Sequence, residues 1–124
     1  MKSDSVEPFA FIAVNDLVAI TRGRSLPKSG LNPTSGVGWV PADLALNAFG
    51  ALADPNPLGA LGDLRLIPDI STRAVFRGKE YGRDVEMYLA DQHTMDGKPW
   101  ECCPRSNLKW AIERLSNDHG LEVV

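Results

Sequence analysis

The chain has 124 residues, 44% of them hydrophobic and 23% charged, with a formal net charge of −3. That length suits one domain with one core, and an acidic balance without a basic cluster argues against a nucleic-acid partner. No apolar run approaches the roughly 20 residues that span a bilayer, and the opening MKSDSVEPF lacks the apolar segment of a signal peptide; a cytoplasmic protein without a membrane partner is expected.

Residues 1–7 are polar and read as a frayed terminus, which leaves 8–124 as a single domain. PFAFIAV is apolar on both faces and short, the pattern of a buried strand over 9–15. Asn15 and Asp16 bring turn chemistry, and LVAITRGRSLP resumes as a second strand that grows basic toward Arg22 and Arg24 before Pro27, giving a hairpin with a solvated far end. The segment 28–38 is rich in Ser, Gly, Asn and Pro and predicts a loop with room for one helical turn. WVPADLALNAF fits strand or helix; the alternation of Leu44, Leu46 and Ala48 favours a short strand. GALADPNPLGALGD has no periodicity and predicts a mobile surface loop of the sort that carries function. DLRLIPD and STRAVF read as two short strands parted by a turn at Pro68 and Asp69. In DVEMYLADQ, Val85, Met87 and Leu89 share one face and Glu86 and Tyr88 the other, which predicts a half-buried antiparallel strand. RGKEYGRD before it and MDGKP after it are turns.

The final element is a helix at about 104–118. Leu108, Ala111, Ile112 and Leu115 recur at i, i+3, i+4 and i+7, which predicts one buried stripe. Pro104 suits the first helical position and Gly120 a C-cap. Strands followed by one helix, without βαβ alternation, give an α+β fold with a mostly antiparallel or mixed sheet.

Two cysteines without a secretion signal predict reduced thiols. Cys102 and Cys103 are adjacent, and His93 and His119 stand in no ligand spacing with them, so a zinc site lacks its ligand count. Gly36 and Gly38 make no nucleotide fingerprint, and no GKS or GKT holds a phosphate. Asp54, Asp63 and Asp69 gather around the Gly/Pro loop, where turn and capping roles account for aspartates beside Pro and Gly.

The order of VNDLVAITRGRSLP, a small-residue loop, GDLRLIPDISTRAVF, DGKPWECCPRSNL and HGLEVV resembles the N-terminal domain of the glutamine synthetase family, especially the glutamine-synthetase-like amine ligases. The matching motifs are D-x-x-x-x-P-D-x-S/T, begun by Asp63, and D-P-R-x-x-L, in which Cys103 stands for the aspartate. The resemblance implies a β-grasp-like mixed sheet of about four to six strands with one helix packed on it. It implies that the catalytic domain, with its ATP and Mg2+ or Mn2+, lies outside this chain, so that the chain alone has no activity. It implies partners too: the catalytic domain of the same or a neighbouring subunit, in a homo-oligomeric ring. The loop at about 47–63 would be lent to the neighbour's site. There the family places an aspartate at the amine end; Asn47 aligns with it, Asp43 is the nearby alternative, and Asp63 is expected to anchor the loop. Two rival readings remain: a freestanding β-grasp interaction module, and a pseudoenzyme fragment that joins a ring and regulates it. Cys103 in place of an aspartate should cap the helix poorly, leaving its stability to the apolar stripe.

Overall fold

The computed structural model describes residues 6–59, 62–78 and 82–123. The expectations for residues 1–5, for part of the 47–63 loop and for part of the turn before residue 85 lie outside the described residues.

Phe9–Asn15 forms β1, which lies between two strands and has buried or half-buried residues on both faces, as its apolar run requires. Thr21–Pro27 (β2) pairs with it antiparallel, Asn15 opposite Thr21. On the other edge runs the longest strand, Val85–Thr94, here β6, parallel to β1 with Phe9 opposite Val85 and Ala13 opposite Leu89. Leu64–Pro68 (β4) pairs antiparallel with the second half of β6 and Ala74–Phe76 (β5) with its first half. Val37–Trp39 (β3) closes the far edge against β4. The spatial order is β2-β1-β6-β4-β3, with β5 also on β6, a mixed sheet curled as a half-barrel. One main helix, α1, spans Pro104–His119. The result is the α+β, β-grasp-like arrangement that the sequence predicts.

The core lies on one face of the sheet. Ala10, Ile12 and Val14 from β1, Leu64 and Leu66 from β4, and Tyr88 and Ala90 from β6 meet Trp39, with Leu26, Leu31, Val37 and Trp100 packed at the margin. Close backbone approach explains two glycines: a Cβ at Gly23 would collide with the Ile12 carbonyl, and one at Gly36, where φ is +57°, with that of Leu66.

Three expectations need correction. The strand predicted within 39–49 is a 3-10 helix, Pro41–Ala45, which buries Ala42 and Leu44; the strand ends at Trp39, where Pro41 removes a ladder donor. β6 is not simply antiparallel, since β1 lies parallel to it, and its buried face is the polar-looking one: Glu86, Tyr88, Ala90 and Gln92. That inversion is possible because Glu86 is fully partnered. Arg73 donates from Nε at 3.0 Å and Nη2 at 2.8 Å, Lys28 forms a close ion pair, and Tyr88 Oη donates to the same carboxylate. Lys28 also lies over the Tyr88 ring, 4.8 Å from its centroid.

The third correction concerns α1, in which no residue is fully buried. Leu108 is 60% exposed and Leu115 37%, while Ala111 and Ile112 are half-buried. The helix is tied to the sheet at its beginning by charge: Arg105 donates to Asp69 at 2.7 Å and Asp91 at 2.9 Å, and Lys109 to Asp91 at 2.6 Å. Cys103 does occupy the N-cap; its Sγ accepts from Ser106 N at 3.5 Å and from Gln92 N at 3.2 Å.

Candidate functional site

The β1–β2 turn is built by Asp16, whose backbone and side chain both serve it. Its Oδ1 accepts from Val18 N at 3.0 Å and Ile20 N at 2.9 Å, and Ala19 takes a φ of +62° to complete the reversal. Its Oδ2 pairs with Arg22 Nε. Burial raises the Asp16 carboxyl, but the hydrogen bonds from Arg22 and the two amides outweigh that, so the group titrates below the usual carboxylate range.

Arg22 then reaches out of the sheet. Its Nη2 donates to the Asn47 carbonyl at 3.0 Å, fixing the start of the loop that follows the Pro41–Ala45 helix. Asn47 folds the loop from within: Phe49 N at 2.9 Å and Ala51 N at 3.0 Å donate to its Oδ1, and Asn47 N donates to Ala51 O at 2.8 Å. Leu46 bridges to Leu52, and Ala53 N donates to Ala45 O at 2.9 Å. The outcome is a tight projection with Phe49 at its tip, 96% exposed.

Asp43 borders the same small cavity as Asp16, Arg22, Trp39 and Gln92. Burial raises its carboxyl above the usual range, partly offset by the Arg24 and Arg22 charges. Asn47 and Asp43 are thus brought together around Arg22. Asp63 is not: it is exposed one residue before β4, at the loop's other end, where neighbouring Gly62 faces the Pro41 ring. Asp69 caps the Ile70–Thr72 turn, accepting from Ser71 N at 3.1 Å, and is held at about 2 by Ser71 and Arg105. Among the described residues no group of three or more His, Cys, Asp or Glu could hold a metal ion.

Sequence reasoning missed Arg22 and Phe49. Arg22 had been assigned to a solvated hairpin end, although a basic residue six positions after a turn aspartate can fold back on it. Phe49 carried a clearer signal, an aromatic residue set between Asn47 and Gly50 where the alternation of Leu44, Leu46 and Ala48 ends.

The half-barrel, its trailing helix and the loop braced by Arg22 define a β-grasp-like α+β domain. Residues 1–100 match the family described as glutamine synthetase N-terminal domain, and the chain belongs to that family. It is 33% identical to type-1 glutamine synthetase 2 of Dictyostelium discoideum over 129 residues, covering 97% of this chain and 23% of that protein. A crystal structure of a novel glutamine synthase homolog superposes with a TM-score of 0.84 at 34% identity, over 95% of this chain and 29% of the other. Plasmodium falciparum glutamine synthetase, seen by cryo-electron microscopy, shares the fold at a TM-score of 0.67 and 18% identity, over 95% of this chain and 21% of the other. The chain thus spans about a quarter of the length of these relatives. Among the described residues no helix is long and apolar enough to cross a membrane.

Proposed function

We propose that this chain acts as the N-terminal domain of a cytoplasmic, glutamine-synthetase-like, ATP-dependent carboxylate–amine ligase and lends its 47–63 loop to the active site of a neighbouring subunit. The observation that carries this reading is the loop: Asn47 and Arg22 spend five hydrogen bonds' worth of polar groups to hold Phe49 almost wholly in solvent. An apolar side chain presented on a braced support fits a role in contact with another surface. The exposed Leu108, Trp110 and Leu115 of α1 support a second contact, with the catalytic domain of the same or a neighbouring subunit in a ring.

ATP, with Mg2+ or Mn2+, would supply the activation of the carboxylate from that catalytic domain. This chain's residues would work at the amine end. Asn47 is neutral and cannot take a proton; its carboxamide can orient an amine, which favours an amine substrate other than ammonia. Asp43 is the titratable group beside Arg22, and Asp63 anchors the loop's return. Because the Asn47 Oδ1 is already engaged by two backbone amides, a pseudoenzyme fragment that regulates a ring is the alternative reading.

The test is complementation. The Dictyostelium relative, cut back to the part this chain does not cover, is mixed with the 124-residue chain and assayed for amine-dependent phosphate release. Activity that appears on mixing and is lost with Phe49→Ser supports the proposal. ATP hydrolysis by the 124-residue chain by itself, or no activity on mixing, contradicts it.

A further inference from the structure

Almost every polar group of Asn47 is engaged in holding the loop. Its N–H donates to the Ala51 carbonyl at 2.8 Å, and its own carbonyl accepts from Gly50 N at 3.0 Å and from Arg22 Nη2 at 3.0 Å. Its Oδ1 accepts from Phe49 N at 2.9 Å and from Ala51 N at 3.0 Å. The Nδ2 group is left over: the residue is exposed, and among the described residues Nδ2 meets no acceptor.

The oxygen and nitrogen of a carboxamide have nearly the same shape, so their neighbours tell them apart. Here the neighbours are decisive. Two backbone N–H groups converge on one terminal atom, and a nitrogen at that place would set donor against donor; the atom is therefore the oxygen. The amide nitrogen is turned away from those two groups, and the side chain offers a substrate N–H donors and no free acceptor.

An ammonium ion carries only donors and finds no partner in Nδ2. An aspartate folded the same way would keep one oxygen for Phe49 and Ala51 and present the other, which is an acceptor. The amide thus reverses the polarity of the one group that this position can present. Nor can the lone pair of a reacting amine serve Nδ2, because attack on an activated carboxylate requires that pair. The acceptor has to be a second group on the substrate.

We propose that Asn47 determines specificity at the amine end, its Nδ2 selecting amines that carry a hydrogen-bond acceptor, such as an ether or carboxylate oxygen, in addition to the reacting nitrogen. The inference rests on the loop's role at a neighbouring active site and adds the class of amine taken there.

The test uses the mixture of this chain with the cut-back Dictyostelium relative, supplied with 2-methoxyethylamine, butylamine or ammonium and assayed for phosphate release. Butylamine has the length of the ether but a methylene in place of its oxygen. The ether should be used with a kcat/KM about fivefold higher or more, the worth of one neutral hydrogen bond. Asn47→Asp keeps an oxygen for Phe49 and Ala51, so amide exchange at those two residues should be unchanged. The preference for the ether should nevertheless vanish, and ammonium should gain about fivefold or more relative to butylamine. The comparison of the two amines without any substitution is decisive by itself if the variant loosens the loop. Equal use of both amines, or a preference that survives Asn47→Asp, overturns the inference and leaves the loop's role standing. No activity with any of the three compounds removes the loop's role and the inference with it.

Discussion

The sheet's core and the projecting elements of this domain differ in how their apolar residues are treated. On the core side Ile12, Leu66 and Ala90 are sealed from solvent, Tyr88 is nearly so, and even the carboxylate of Glu86 is held by three side chains. Elsewhere α1 keeps Leu108, Trp110 and Leu115 in contact with water, and the 47–59 segment raises Phe49 into it. These exposed apolar residues are the observation on which the proposed contact with another protein surface rests.

This contrast can be broken by substitution, beginning with the largest effect. Leu66→Ala should cost about 2–5 kcal/mol in denaturant unfolding, because a sealed site leaves a cavity, whereas Leu115→Ala should stay within about 0.5 kcal/mol. Equal costs would remove the distinction. Glu86→Ala comes next, at about 1–3 kcal/mol: the buried Tyr88 hydroxyl loses its acceptor, while Arg73 and Lys28 can partly return to solvent.

The pH dependence has a defined sign. Arg73, Lys28 and Tyr88 hold the Glu86 carboxyl far below its ordinary value, and Ser71 and Arg105 hold Asp69 at about 2. A carboxyl whose folded value is depressed binds fewer protons folded than unfolded, so its stabilisation is full above the unfolded value and is lost as pH falls. Thermal stability should therefore decline from about pH 5 downward, and Glu86→Gln should flatten that decline. A stability that rises toward acid would contradict both assignments.

Arg105→Ala should release the start of α1 at a cost of about 1 kcal/mol, since the ion pairs with Asp69 and Asp91 are only partly shielded. Its signature is a loss of amide-exchange protection in α1 with protection in β6 unchanged. The smallest effect belongs to Cys103→Asp. A better N-cap is worth about 0.5–2 kcal/mol, but the thiol lies almost fully buried beside Gln92, and desolvating a carboxylate there offsets the gain. We expect a change within about 1 kcal/mol of zero; a melting increase beyond that would mean that water reaches the cap.

Much of this was legible in the sequence for local reasons. β1 was bounded by a continuous apolar run and by the turn residues Asn15 and Asp16, and α1 by Pro104 and Gly120, whose conformational limits act within a few residues. Periodicity found the alternation of β6 but not its buried side, because the partners that make Glu86 tolerable inside, Lys28 and Arg73, belong to other segments. It also placed a stripe on α1, of which only Ala111 and Ile112 are half-buried while Leu108 and Leu115 stay more open. An apolar stripe states that something is covered, not whether the cover is this domain or another. Of the candidate residues, Asn47 and Asp43 share a neighbourhood, and the Arg22 brace that unites them spans 25 residues and leaves no pattern in the sequence.

The most direct test is a hydrogen-exchange footprint of the 124-residue chain, alone and with the part of the 34% identical glutamine synthase homolog that this chain does not match. The account predicts new protection at Phe49–Leu52 and Leu108–Leu115, with β2 and β3 unchanged. Protection confined to the β2 or β3 edge, with the loop and α1 still exchanging freely, would contradict it.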